Sequence, residues 1–286
     1  MIASGAALLS DGAGTQGASQ LLTGEVAIRL GAFVAVFAAM ALWEVLAPRR
    51  HDLADRPVRW TNNLGILLVD ALVVRLVAPA SAVGIALAVE AKGWGLLPLL
   101  GAPYWLAFLV SVLILDLVIY AQHVVFHHVP LLWRLHRMHH ADTVIDVSSG
   151  GRFHPGEILL SLAIKGVAIL LLGAPAAAVL AFEVLLNATS MFNHANIRIP
   201  PRLEPVLRWL VVTPDMHRVH HSTLRRETDS NFGFNLPWWD RLFGTYRGEP
   251  EKGHEAMTLG LDEFRDPRER WLDRLVTQPL RNGDQG

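Results

Sequence analysis

Cysteine is absent from this 286-residue chain. Disulfides, Cys-bound zinc and thiolate-held iron–sulfur clusters are therefore excluded, and any metal falls to histidine or carboxylate. Charge is also scarce, at 18% of residues, against about 25% in ordinary soluble domains. Lys92, Lys165 and Lys252 are the only lysines and arginine supplies the remaining basic residues, a bias associated with GC-rich bacterial genomes. With a formal charge of -1 and a pI near 6.9 there is no basic field to attract nucleic acid. Residues 1–24 contain no Lys or Arg, so they lack the positive n-region of a signal peptide. They read as a disordered tail.

What the chain has in quantity is apolar surface, with 52% hydrophobic residues and a mean hydropathy of +0.33. This points to an integral membrane protein. Four apolar stretches, Val26–Leu46, Leu64–Val89, Pro103–Tyr120 and Ile158–Leu186, are near or above the ~20 residues that a bilayer core requires. The fold expected is an all-α membrane bundle of about four membrane helices or helical hairpins, carrying a His-rich cap. Arg49, Arg50, Arg56 and Arg59 follow the first stretch, which by the positive-inside rule puts the amino terminus outside and the 47–63 loop in the cytoplasm. If the second stretch leads out and the third returns, the histidines from His123 onward emerge on the cytoplasmic side.

The fourth stretch poses a length problem. A single helix over it would run ~44 Å and carry His194 to the far side of the membrane. Gly173-Ala174-Pro175 at its centre is the natural break, giving a hairpin at 158–188 that dips in and returns. The divisions expected are a tail at 1–24, N-terminal membrane helices at 25–122, a catalytic region at 123–248 and a cytoplasmic C-terminal tail at 249–286. In that tail Arg268–Leu280 should form one surface helix lying on the domain or the membrane surface, with Trp271, Leu272, Leu275 and Val276 on one side.

Thirteen histidines are present, and most follow two repeated spacings. His123 and His127, four apart, lie within ~40° of each other on one helical face. His136, His139 and His140 form one His-x-x-His-His triplet, and His217, His220 and His221 form another. With His194 the set numbers nine, too many for one tetrahedral zinc and suited to two metals of higher coordination. Imidazole ligands admit iron, zinc, copper or nickel. Asp116 and Tyr120 share the face of His123, so Asp116 either accepts the second ring N–H of a ligand histidine or is a buried acid paired with Arg75 or near Asp70. His154, in His154-Pro155-Gly156-Glu157, is a tenth ligand or a group behind one, and Asn196 is a further candidate. His128 merely neighbours His127, and His51 and His254, in charged surroundings, read as surface residues.

In order, His123/His127, His136/His139/His140 and His217/His220/His221 resemble the eight-histidine signature of the fatty acid hydroxylase superfamily, which includes sterol desaturases and carotenoid hydroxylases. The flanking strings Val129-Pro130-Leu131-Leu132-Trp133-Arg134 and Trp238-Trp239-Asp240-Arg241-Leu242-Phe243-Gly244-Thr245 are similar too, so that the likeness covers about residues 100–248. It implies that His194 is the intermediate ligand. Some members carry another histidine four residues earlier, where this chain has Ser190, leaving that place to water or open. The likeness further implies two ferrous ions as cofactor, O2 as co-substrate, a lipid substrate (sterol or hopanoid, fatty acyl or carotenoid) and a separate ferredoxin, b5-type or reductase donor. The product would be a hydroxylated or desaturated C–H position, made in the bacterial inner membrane. The alternatives are a membrane zinc hydrolase, which needs a general base that no histidine motif contains, and a metal-handling protein, which would place histidines along a path across the bilayer.

Overall fold

The computed structural model describes residues 6–51, 55–78 and 80–283, with side chains from residue 24 onward. Every regular element among them is helical, and the only β contacts are isolated bridges joining Pro48 to Ile197 and Ser222 to Leu259. The principal helices are α1 (Ala6–Leu46), α2 (Arg56–Val77), α3 (Ala82–Lys92), the single turn α4 (Leu96–Leu99), α5 (Tyr104–His128), α6 (Pro130–His140), α7 (Pro155–Leu172) and α8 (Ala176–His194). Short helices form the cap: α9 (Glu204–Leu210), α10 (Pro214–His220), α11 (Arg225–Thr228), α12 (Trp238–Phe243), α13 (Gly253–Ala256) and α14 (Leu272–Thr277).

Five segments are long and apolar enough to cross a membrane, at 24–46, 56–99, 104–128, 155–172 and 176–194. Their outward side chains are apolar as well: Val26, Leu30 and Val34 on α1 and Leu68, Leu72 and Leu76 on α2 are exposed. Such a surface suits hydrocarbon and not water, and the chain is a multi-pass membrane protein.

Proline and glycine set the breaks. Residues preceding proline disfavour the α conformation, so Ala78, before Pro79, is extended (φ -87, ψ 125) and ends α2. The second apolar stretch, expected as one crossing, is therefore two helices, with Ser81 capping the second by accepting from the Gly84 amide. At Gly173 the chain takes φ 70 and α7 stops; α8 starts after Pro175. The helix α1 begins at Ala6, within the segment expected as a tail. The C-terminal segment is not one surface helix. It is α14 flanked by 3-10 turns at 267–270 and 278–280, because Trp271 is extended, the Leu272 amide bonds Asn62 Oδ1 at 2.8 Å, and Leu275 is buried against Ile66 and Met138.

Small residues let the helices approach. Ala82, Val83 and Ala86 of α3 pack with Leu115 and Ile119 of α5, Ile169 of α7, and Val179 and Phe182 of α8. At the far end from the histidines, a Cβ on Gly95 would lie 2.1 Å from the Gly173 nitrogen, and one on Gly173 would lie 2.4 Å from the Trp94 oxygen. The hairpin tip is thus locked to the loop after α3 by backbone contact.

At the near end, polar bonds do the fixing. Arg59 of α2 is fully buried and donates to both oxygens of Asp142 (3.0 and 2.9 Å), to Asp146 (2.5 Å) and to the Val144 carbonyl. Burial alone would raise the Asp142 carboxyl, but Arg59 and Arg152 beside it hold it far below the usual carboxylate range. Glu44, at the end of α1, accepts from the amides of Val147 (2.7 Å) and Asn196 (2.8 Å). These contacts tie the loop after α6 and the end of α8 to the first two helices.

Three substitutions check these locks by thermal unfolding in detergent. Gly173→Ala should cost ~2 kcal/mol or more, from collision and positive φ together. Gly93→Ala, at φ 62 with open space around its Cβ, should cost only the ~1 kcal/mol of left-handed strain, so equal losses would refute the close-contact lock. Arg59→Leu removes the ion pairs of two buried carboxylates and should cost ~3–5 kcal/mol; a loss below ~1 kcal/mol would show that this network does not hold the loop.

Candidate metal centre

Helix α5 carries His123 and His127 to its end, α6 carries His136, His139 and His140 on its last turns, α8 ends on His194, and α10 brings His217 and His220, with His221 just after it. All nine are buried. They fall into two sets within which one ring nitrogen from each residue lies within 4.8 Å of the others: His123, His127, His136, His140 and His220 in one, and His139, His194, His217 and His221 in the second.

The division follows helical geometry. Residues four apart differ by ~40° about the helix axis and three apart by ~60° in the opposite sense. Accordingly the pairs 123/127 and 136/140 serve the first set and 217/221 the second, while His139 and His220 reach across to the other set. The sets adjoin where His140 and His221 stack, with ring centroids 4.5 Å apart and planes at 18°.

The ring nitrogens behave as a ligand shell. His123 Nδ1 lies 2.7 Å from the Phe232 carbonyl, His136 Nδ1 2.7 Å from Glu157 Oε1, His139 Nδ1 3.0 Å from the Arg152 carbonyl, His194 Nδ1 2.7 Å from the Ser190 carbonyl and His220 Nδ1 2.7 Å from the Ser230 carbonyl. Each partner is an acceptor, so Nδ1 carries the proton and Nε2 the lone pair. Yet Nε2 atoms face one another at 3.0 Å for His123 and His136, for His123 and His220, and for His139 and His194. Two acceptors in contact repel unless a cation lies between them. Nitrogens bound to one ion at ~2.1 Å and at right angles stand ~3 Å apart, so the donor sets fit metal ions.

Electrostatics agree. Burial, followed by the neighbouring imidazoles, pushes His139, His140, His217 and His221 well below the usual histidine value, and burial takes His220 down to about 3. These rings are neutral bases. Aromatic rings line the cluster: Phe153 stacks on His139 at 4.4 Å, and Phe232 meets His123, His127 and His220 edge-on.

The remaining candidates lie elsewhere. Asp116 bonds no histidine and pairs with neither Arg75 nor Asp70; its Oδ2 accepts from Trp239 Nε1 (2.8 Å) and the Leu236 amide (3.3 Å), because its turn of α5 faces the cap loop. His154 caps α7 by accepting from the Gly156 amide and contacts the Val276 carbonyl. Ser190 bonds the Gly150 carbonyl at 2.9 Å, and Asn196 clamps Arg50 through its amide and carbonyl. His128 is exposed and bonds its own helix, and His51 is exposed. His254 is buried, 3.0 Å from Glu249, which corrects its reading as a surface residue: the charged neighbours enclose it.

Three supports have no signal in the sequence spacing. Glu157 stands behind His136, and Asp229 lies 3.3 Å from His127 Nδ1. Asp240 accepts from the Phe232 and Gly233 amides at 2.8 and 2.9 Å, and so aims the Phe232 carbonyl at His123. An apolar cavity of about 340 Å³ leads from His123 and His136 past Phe153, Ile158 and Leu162 into the helices.

Comparison with known proteins gives this geometry a family. The fatty acid hydroxylase profile matches residues 108–245. The ornithine lipid hydroxylase OlsE of Rhizobium tropici is 34% identical over 132 residues, 46% of this chain and 39% of that protein. The very-long-chain aldehyde decarbonylase GL1-1 of Oryza sativa subsp. indica is 30% identical over 155 residues, 50% and 24%. The alkylglycerol monooxygenase of Homo sapiens is 29% identical over 145 residues, 51% and 32%. The chain thus aligns with well under half the length of these relatives. No solved structure matches it. The stretch from Phe108 to Thr245, which supplies all nine clustered histidines, belongs to the fatty acid hydroxylase family.

Proposed function

We propose that this chain is an O2-dependent, non-haem di-iron oxidoreductase that hydroxylates or desaturates a C–H bond of a membrane lipid. The observation that carries the reading is the pair of adjoining sets, five and four buried imidazoles, at the head of an apolar cavity within membrane helices. The first set would hold one iron and the second the other, with room in the smaller set for an outside ligand. Bound there, the two irons would supply the oxygen-activating redox chemistry that breaks an unactivated C–H bond.

The protein's own contribution is orientation and exclusion. Backbone carbonyls and Glu157 fix the proton on Nδ1 and turn Nε2 inward. Phe153, Phe232 and Phe234 keep bulk water from the rings, and the cavity directs an acyl-like chain toward His123 and His136. Electrons would come from a separate ferredoxin, b5-type carrier or reductase, and the arginine-rich loop after α1 favours a cytoplasmic site in a bacterial inner membrane. A zinc hydrolase is less well supported. Glu157 and Asp229 lie on the Nδ1 side of their rings, away from the converging nitrogens where a general base would have to face metal-bound water.

Elemental analysis of detergent-purified protein expressed with iron should find about two irons per chain, and the host lipids should gain a hydroxylated or unsaturated species; one zinc with unchanged lipids would overturn the reading. His136→Ala and His220→Ala should lose metal and activity while still inserting into membranes, whereas His254→Ala should keep its metal. Glu157→Gln should weaken metal affinity by roughly 10–100-fold, the usual effect of removing a carboxylate behind a ligand histidine. Unchanged affinity in a chelator competition would remove Glu157 from that role.

A further inference from the structure

The same cavity holds polar groups that ligation of metal leaves unused. Along its lining Glu183 pairs with Lys165 (2.5 Å) and Arg29 (2.7 Å), Arg29 also pairs with Glu25 (3.0 Å), and Ser81 bonds Glu25 at 3.1 Å. Both Lys165 and Arg29, the cavity's cationic side chains, are thereby neutralised. A carboxylate or phosphate entering here would find no unpaired cation among the described residues that line the cavity.

The unmet groups have the opposite character. Asp70 of α2 lines the cavity and is 4% exposed, yet neither of its carboxyl oxygens has a hydrogen-bond partner. Gln122 Oε1 and Glu157 Oε2 line the same space and are likewise unpartnered. Buried acceptors are rarely left unpaired, and all three belong to residues that line a space a ligand can fill. A methylene chain satisfies none of them.

We infer that Asp70 is the polar anchor of this pocket and that the lipid held there carries a hydrogen-bond donor, an amine or a hydroxyl, in place of a carboxylate or phosphate. The inference rests on the lipid-oxidoreductase reading for what happens next, since it places the donor group against α2 and leaves the adjoining chain to reach His123 and His136. Asp70 is here a specificity-determining residue: it holds the substrate and takes no part in the bond cleavage. An amine would gain a charge-assisted bond to the carboxylate; a hydroxyl needs only an acceptor.

The test is ligand binding to the full-length protein in one detergent, followed by the shift in its thermal unfolding midpoint, with dodecylamine, 1,2-dodecanediol and dodecanoate as probes. The wild-type protein should bind the amine or the diol at least about tenfold more tightly than dodecanoate. Asp70→Leu should abolish that preference. Asp70→Asn, which keeps an acceptor and removes the charge, should retain diol binding and lose amine binding about tenfold. This arm separates an aminolipid from a hydroxylated lipid, and it stands if the leucine variant fails to fold. Dodecanoate binding as tightly as both donors, or unchanged donor binding in both variants, would overturn the inference. No turnover is needed, so the two readings fail separately: protein that takes up no iron when expressed with it and leaves the host lipids unchanged, yet shows the preference, would overturn the oxidoreductase reading and leave the pocket assignment in place.

Discussion

Everything in the near end of this molecule answers to one constraint: nine buried imidazoles are packed so that their ring nitrogens face one another. In isolation that arrangement is repulsive. It is tolerable because the opposite edge of several rings is committed to an acceptor, most of them main-chain carbonyls, and because a cation can occupy the centre. The carbonyls must therefore be held still, and this is the work of Asp240 behind Phe232, and of Arg59, Asp142 and Glu44 around the loop that follows α6. The rigid polar collar is the mechanical counterpart of the metal site.

The histidines are legible in the sequence because ligand spacing is local. Intervals of three and four residues mean the same thing on any helix, and the order of the motifs adds specificity that no single residue has. Helical breaks at Gly173 and Pro175 are legible for a similar reason, since backbone stereochemistry acts over one or two residues. Ala78-Pro79 carries the same kind of signal, but apolar residues on both sides hide it within one long stretch. What cannot be read are partners distant in sequence. Glu157 meets His136 across a loop, Asp116 meets Trp239 across 123 positions, and Leu275, on the apolar side that its periodicity implies, meets Ile66 and Met138 from distant helices. His254 resembles a surface residue because charged neighbours usually signal water, whereas here they form its enclosure.

Charged groups within the helices show the same economy. Glu25, Arg29, Lys165 and Glu183 come from three different helices and cancel one another in pairs, which allows a polar surface to exist inside a bundle that is otherwise apolar. Composition alone makes these residues look like isolated liabilities. Together with Asp70 they give the cavity a polarity that distinguishes donors from anions, a property that the histidine motifs do not encode.

The crossing-over of His139 and His220 into the opposite set has a mechanical meaning. Because His139 and His140 are adjacent, as are His220 and His221, each pair of neighbours puts one ring in each set. The distance between the two centres is consequently spanned twice by a single peptide unit, whose length is fixed by covalent bonds. Changes in bilayer thickness or helix tilt can strain α5, α7 and α8, but these two short, stiff struts oppose any change in the intersite separation. A histidine cluster at the rim of a soft, fluctuating solvent is thereby braced against it.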